Sequence, residues 1–188
     1  MPTATSLSRQ DWTDVALRAL LTDGPDTVAV QPLARALGAT KGSFYWHFRD
    51  RDDLLRAALD EWADRSTEQV IADLEAGGGT PELQLRALFG RVTEAATRHP
   101  GELRLLAGVG HPAVAEVVAA TTRRRVSYVA SLIRAAGVDR AEAGHRAVLA
   151  YATYLGFLQL AVAAPRTLPA RRAGRARMLD EMVRITLA

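Results

Sequence analysis

The 188-residue sequence predicts an all-α fold. Apolar residues recur at spacings of three and four along most of the chain, and no stretch alternates as a strand does. Glycine and proline interrupt these helical patterns at intervals. The length allows one large domain or two small ones with a sizeable core. Because the sequence contains no cysteine, disulfides and thiolate metal sites are excluded, which suits a reducing compartment.

The N-terminal part predicts three helices. Ser8 can cap the first, and residues 23–25, Asp-Gly-Pro, end it. Two short helices are expected next, over residues 31–37 and from a Thr40 cap through His47. A turn at Gly38 joins them, so the pair is predicted to be a helix-turn-helix.

The remaining chain predicts a second helical region. Asp50 can cap a connecting helix over about residues 51–76, which three consecutive glycines then end. Further helices are expected over about 81–98, 102–107, 113–136, 140–164 and 170–187, with His99-Pro100-Gly101 as one of the breaks. We therefore divide the chain into a helix-turn-helix domain, residues 1–50, and a helical domain, residues 51–188.

One helix carries no charge over residues 147–165, which is close to the length of a membrane span. Six alanines, Gln159 and the terminating Pro165 favour instead a helix covered by the core on one side and by a partner on the other. The N-terminus has no basic segment followed by an apolar one, so export is not expected. We predict a cytoplasmic protein that does not enter a membrane.

The net charge of +3 is unevenly distributed. Residues 1–60 contain seven basic and eight acidic side chains, so any nucleic-acid binding there must depend on local placement. Residues 123–125 are three consecutive arginines, interpreted as a solvated charged face, with a second DNA contact as the alternative.

The second helix of a helix-turn-helix enters the major groove of DNA with its first residues against the base edges. Lys41 can reach a guanine edge or a phosphate, and Ser43 can bond to either partner of a base pair. Phe44 and Phe48 are expected in the core, and Tyr45 or Trp46, each taken alone, has about even odds of being core. The predicted DNA-binding residues are Gln31, Thr40, Lys41, Gly42, Ser43, Tyr45, Trp46, His47 and Arg51.

Residues 28–55 resemble the DNA-binding domain of the TetR (tetracycline-repressor-like) transcriptional regulators. The matching pieces are Leu33-Ala34, Gly38, Lys41-Gly42, residues 45–48 (Tyr-Trp-His-Phe) and Leu54-Leu55. The resemblance implies a homodimer that binds a double-stranded DNA operator and releases it when a small molecule enters the C-terminal domain. It also implies that the last two long helices pair between subunits. Arg51 stands where the family usually has lysine, which keeps the charge.

Two interpretations remain open for the uncharged helix, because it can line a ligand cavity or form the dimer seam. We favour the seam, since small residues at helical spacing allow close approach. The predicted dimer residues are Ala152, Gly156, Ala163, Met178 and Met182. The predicted ligand-pocket residues, each also a reasonable core residue, are Trp62, Phe89, Leu103, Leu106, His111, Tyr128 and Tyr154. The effector is expected to be apolar or weakly polar.

Catalysis is not indicated. The four histidines are far apart in sequence, and no metal-binding or phosphate-binding motif is present. We expect no enzyme activity, no cofactor and no metal. The alternative function is a ligand-binding or scaffolding helical protein with weak or no DNA binding, which the charge balance of residues 1–60 supports.

Overall fold

The computed structural model describes residues 7–98 and 101–188. These residues form ten α-helices, short 3₁₀ and π turns, and no strand, so the predicted all-α class is confirmed. The break predicted at His99-Pro100 lies outside the described residues. The helices are α1 Arg9–Asp23, α2 Val30–Ala36, α3 Lys41–Phe44, α4 Arg51–Ala63, α5 Gln69–Gly77, α6 Pro81–Arg98, α7 Glu102–Ala107, α8 Pro112–Ala135, α9 Arg140–Ala163 and α10 Arg172–Leu187.

The chain forms two compact units. Among the described residues, the first unit comprises 7–65 and 104–118, and the second comprises 66–98, 101–103 and 119–188. Each unit therefore combines two separate stretches of sequence. The functional boundary that we placed at residue 50 stays a prediction.

Local signals determine the ends of α1. The Ser8 hydroxyl accepts a hydrogen bond from the Asp11 N–H at 3.2 Å, and the Asp11 carboxylate accepts one from the Ser8 N–H at 2.7 Å. This reciprocal pair is a capping box, which satisfies donors that the first turn leaves free. Gly24 ends the helix at φ 92°, where a side chain would be strained.

The core of the first unit is a cluster of aromatic and aliphatic side chains from α1 to α4, joined by residues of α7 and α8. Its largest fully buried members are Trp12, Phe44, Phe48, Leu20, Leu54, Leu55, Leu59 and Leu105. The second unit has its own core, centred on Ile71, Leu85, Phe89, Tyr128, Leu132, Ile133 and Ala147. In the second unit α6 packs against both α9 and α10.

Two features of the helices differ from the sequence prediction. The second helix of the helix-turn-helix ends at Phe44 rather than His47, because the His47 N–H bonds to the Phe44 carbonyl (2.9 Å) in a tighter three-residue turn. The connecting helix is interrupted by a π turn over Asp64–Glu68. A one-residue change of helical register has no compositional signature, so the sequence did not predict it.

Candidate nucleic-acid interface and sites in the second unit

The recognition segment, residues 40–48, begins with a capped helix N-terminus. Gly38 adopts φ 63°, which allows the chain to turn sharply after α2. The Thr40 hydroxyl then accepts a hydrogen bond from the Ser43 N–H at 3.2 Å. This cap leaves Lys41 exposed at the first position of α3. Lys41 has no ion-pair partner within residues 7–98 and 101–188, so its ammonium is available to a ligand.

Two phenylalanines attach this segment to the core. Phe44 is fully buried and Phe48 is 2% exposed, which confirms both as core residues. The Trp12 ring meets the edge of Phe44 at a centroid distance of 5.4 Å, and Phe44 stacks on Phe48 at 5.6 Å. Aromatic pairs at such distances contribute about 0.5–1.5 kcal/mol beyond burial of their area. The short helix α3 is therefore held by packing rather than by its own length.

The two aromatic residues between these anchors face outward. Trp46 is 87% exposed and Tyr45 is 55% exposed. The possibility that either belongs to the core is therefore wrong. A large apolar side chain left in water calls for an explanation, because burial of such a ring is strongly favourable. Contact with a nucleic acid that covers the ring provides one.

A contact that the sequence did not reveal holds the end of the recognition segment. The Arg9 guanidinium lies 4.0 Å from the centroid of the Phe48 ring and donates a hydrogen bond to the His47 carbonyl. It also approaches Asp53 at 3.5 Å. Arg9 therefore joins α1, the recognition segment and the start of α4. No pattern in the sequence pairs Arg9 with residues about forty positions away.

Asp53 receives several donors at this junction. The Arg49 N–H donates to its carboxylate at 3.1 Å, and this bond holds the pKa of Asp53 below its ordinary value. The positive charges of Arg9 and Arg49 lower the pKa further. The Asp53 carboxylate is therefore ionised and bound by Arg49 and Arg9. Because these donors offset its charge, it repels a nearby phosphate less than an unpaired carboxylate would.

Arg51 is the predicted DNA contact that is least free. One guanidinium nitrogen donates to the Pro25 carbonyl at 2.7 Å, and the other bonds to Asp52 at 3.1 Å. Arg51 therefore fixes the turn after α1 to the start of α4, and its phosphate contact stays a prediction. Of the other predicted residues, Gln31, Thr40 and Gly42 are exposed, while Ser43 and His47 are half-buried.

Several acidic side chains of the first unit are occupied by internal partners. Asp11 and Asp50 cap helices, and Asp14 pairs with Arg65 at 2.7 Å. These internal partners offset the negative charge of the carboxylates, whereas exposed Lys41 pairs with no carboxylate among the described residues. The excess of acidic over basic residues in positions 1–60 therefore counts less against nucleic-acid binding.

The comparisons with known proteins agree with this geometry. Residues 13–58 match the family model described as bacterial regulatory proteins, tetR family. Residues 13–58 are therefore similar to the N-terminal domain of TetR-family regulators. The HTH-type transcriptional regulator AcrR of Shigella flexneri is 43% identical over 47 residues, which cover 25% of the chain and 22% of that regulator. This relative and the matched family are regulators of transcription.

Solved structures extend the likeness to the whole fold. A transcriptional regulator from Rhodococcus sp. Rha1 is 22% identical, with a TM-score of 0.72 and 96% of each chain covered. A regulator from Saccharomonospora viridis in complex with choline is 17% identical, with a TM-score of 0.67, and covers 94% of this chain and 93% of its own. At these identities the likeness shows that this chain shares their fold.

In the second unit, α9 has two opposite faces. Ala147, Tyr154 and Leu158 lie on its buried side, where α9 packs into the core. Its other side exposes Leu149 at 67% and Leu160 at 42%. Length and composition alone would let α9 cross a membrane, but a single such helix is weak evidence, because core helices meet the same criteria. The helix therefore has one apolar face that faces solvent and that residues 7–98 and 101–188 leave uncovered.

Three of the five predicted dimer residues lie on this face. Ala152, Gly156 and Ala163 are exposed, and the position of Gly156 has open space around it. Met178 and Met182 of α10 are half-buried, and Met182 packs against the core of its own unit. Four further exposed apolar residues of α9 extend this surface beyond the predicted ones, namely Val148, Leu149, Leu160 and Val162.

The structure distributes the seven predicted pocket residues between the two units. Trp62, Leu106 and His111 belong to the first unit, where Trp62 is part of the core and Leu106 packs against it. The second unit contains Phe89, Leu103, Tyr128 and Tyr154. Neither unit by itself brings all seven together, so a shared pocket stays a prediction.

The second unit also contains a buried polar cluster centred on Arg125. Its guanidinium donates to Glu102 at 2.5 Å, to the Thr67 hydroxyl at 2.8 Å and to the Ser66 hydroxyl at 2.9 Å. The Tyr154 hydroxyl donates to the other Glu102 oxygen at 3.1 Å. Ser66 and Thr67 lie in the π turn, so Arg125 supports the irregular stretch of that helix.

This cluster corrects our interpretation of residues 123–125 as a uniformly solvated face. The side chains of Arg125 and Glu102 are only 14% and 12% exposed. Burial alone would lower the pKa of Arg125, but the Glu102 carboxylate raises it above its ordinary value. Burial, and then the Glu102 charge, raise the pKa of Tyr154, which stays a neutral hydrogen-bond donor. Arg124, by contrast, is 45% exposed and pairs with Glu68.

Proposed function

We propose that the chain is a homodimeric, cytoplasmic transcriptional repressor that binds an operator through residues 40–47 and releases it when a small molecule binds. The observation that carries the DNA-binding part is the outward presentation of Lys41, Tyr45 and Trp46 from a segment anchored by buried phenylalanines. This is the element that enters the major groove in helix-turn-helix proteins.

The homodimer is supported by the uncovered apolar face of α9. Val148, Ala152 and Gly156 follow one another at four-residue spacing on the exposed side. Ile185 of α10 adds a further exposed apolar side chain. Small residues let helices approach closely, and a second copy of the chain would bury both helices in a four-helix seam. A symmetric dimer would read a palindromic operator with two recognition segments.

Control by a small molecule is supported by the match of residues 13–58 to the family model and by the structural relative that is in complex with choline. Cytoplasmic location follows from the need to reach DNA, and the absence of cysteine is compatible with it.

The first experiment measures binding to DNA that flanks the chain's own gene, by gel shift and fluorescence polarisation across a salt series. We expect sequence-specific binding that weakens steeply with salt, since phosphate contacts release counterions. Binding that shows neither specificity nor salt dependence, in a protein confirmed to be folded, would favour the ligand-binding or scaffolding alternative.

Three variants locate the interface. Lys41→Gln and Trp46→Ala remove exposed groups and should leave the free energy of unfolding within about 0.5 kcal/mol of the parent. Each should weaken operator binding, by about 1–3 kcal/mol per subunit if the lost group contacts a base. Leu83→Ala is the matched control, because Leu83 is 58% exposed in the second unit. Unchanged DNA affinity in both interface variants would contradict the assignment of residues 40–47.

A further inference from the structure

The second unit contains a groove of about 550 Å³ between α6, α9 and α10, which also includes part of the segment before α10. Its apolar lining includes Phe157, Leu168, Met178 and Leu179, which are buried or half-buried. Small-molecule sites in proteins commonly occupy about 300–1,000 Å³ and are lined by apolar side chains with a few polar groups. The groove has this size and this character.

The exposed edge of the groove is positively charged. Arg98 and Arg175 both line it, and both are exposed. Glu94 also lines the groove, but it pairs with Arg98 at 2.5 Å. Arg175 donates to the Ala170 carbonyl at 2.8 Å and has no carboxylate partner within residues 7–98 and 101–188. The lining therefore carries one more positive charge than negative charge.

We infer that this groove binds a small amphiphilic carboxylate, with its aliphatic part on the apolar lining and its carboxylate on Arg175. A guanidinium matches a carboxylate with two parallel hydrogen bonds, whereas an organic cation would meet an uncompensated arginine. Met178 suits an aliphatic chain of variable shape, because methionine is flexible and polarisable. The role of this ligand as the effector rests on the proposed function, but its binding to the groove does not.

The three methionines of the chain provide the test. Met178 lines the groove, whereas Met182 lines a different pocket with Leu149 and Ile185. The protein is labelled with ¹³C-methyl methionine and titrated with octanoate, and Met178→Leu assigns the signal. We expect a saturable shift of the Met178 methyl resonance with Met182 unchanged. No shift of Met178, or a larger shift of Met182, would overturn the inference.

The charge assignment has its own measurements. On the unmodified protein, octyltrimethylammonium should bind at least about tenfold more weakly than octanoate, since it lacks the charge-assisted bond. Arg175→Gln should weaken octanoate by about fivefold to tenfold, and Glu94→Gln should strengthen it by releasing Arg98. Arg177→Gln, an exposed arginine of α10 outside the groove, is the control and should change nothing. Equal affinity for the cation would overturn the inference.

Operator release is measured separately on the protein–DNA complex. If octanoate shifts the Met178 methyl resonance without releasing operator DNA, the groove is a ligand site and the effector role is rejected. If the protein does not bind DNA at all, the proposed function fails, while the methionine titration still decides the groove.

Discussion

Arg125 and Arg124 are adjacent arginines in opposite environments, which makes them a matched pair for testing the energetics of the second unit. Arg125 contacts Glu102 at 2.5 Å with both side chains less than 15% exposed, whereas Arg124 is 45% exposed. Methionine is a suitable replacement for each, because it retains much of the length and volume without the charge. Arg125→Met leaves the Glu102 carboxylate buried with only the Tyr154 hydroxyl as a hydrogen-bond donor among the contacts described above.

The expected magnitude follows from this loss. Breaking a buried ion pair from one side costs about 3–5 kcal/mol, and the remaining hydrogen bond from Tyr154 favours the lower end, about 3 kcal/mol. For a chain of this length that corresponds to a fall in Tm of about 6–12 °C. Arg124→Met removes a surface pair and should cost about 0–1 kcal/mol. Glu102→Gln combined with Arg125→Met should restore part of the stability, because no buried charge then remains unpaired.

Urea unfolding followed by far-UV circular dichroism measures these differences at one fixed protein concentration, since association would shift the apparent stability. Trp12, Trp46 and Trp62 all lie in the first unit, so fluorescence reports on that unit alone. Comparison of the two curves shows whether one transition describes both units. A loss below about 1 kcal/mol for Arg125→Met, or a loss equal to that of Arg124→Met, would refute the reasoning.

The remaining predictions concern the first unit and the dimer. The lowered pKa of Asp53 means that its stabilising contribution is present above the pKa of an unfolded aspartate, about 4, and is lost as pH falls through the lower folded value. Asp53→Asn should therefore reduce the loss of unfolding free energy as pH falls below about 4. An unchanged dependence of stability on pH would contradict this. Gly38→Ala should lower the free energy of unfolding, measured by thermal unfolding, by about 1–2 kcal/mol, because Gly38 has φ 63°. The added carbon would meet no other atom, so the loss would come from backbone conformation alone. Unchanged stability would contradict this conformational argument. Leu149→Arg on the exposed face of α9 should shift the mass measured by light scattering from dimer to monomer, whereas Leu83→Arg should not; equal behaviour would reject that face as the seam.

Local chemistry explains what could be predicted for the fold. The Ser8, Thr40 and Asp50 caps all formed as expected, since each depends on a side chain and an N–H three residues away. The burial of Phe44 and Phe48 was also predictable, because their spacing places them on the same side of a helical segment.

Other features of the sites could not be predicted, because they depend on tertiary packing. From the sequence, Tyr45 and Trp46 could each be a core or a surface residue. The packing of the neighbouring phenylalanines places both side chains outward. Ser66 and Thr67 of the π turn accept hydrogen bonds from Arg125 of α8, and no pattern within residues 64–68 indicates this distant partner.

By itself the sequence determined the all-α class, most helix ends and the burial of Phe44 and Phe48, because these follow from contacts within one or two helical turns. Only the tertiary structure decided that Arg9 holds the end of that segment and that Arg125, among three consecutive arginines, is buried on Glu102. Arg9 and Asp53 are 44 residues apart, and Arg125 and Thr67 are 58 residues apart. The environment of a charge at such separations depends on how helices pack, and a linear pattern does not record that packing.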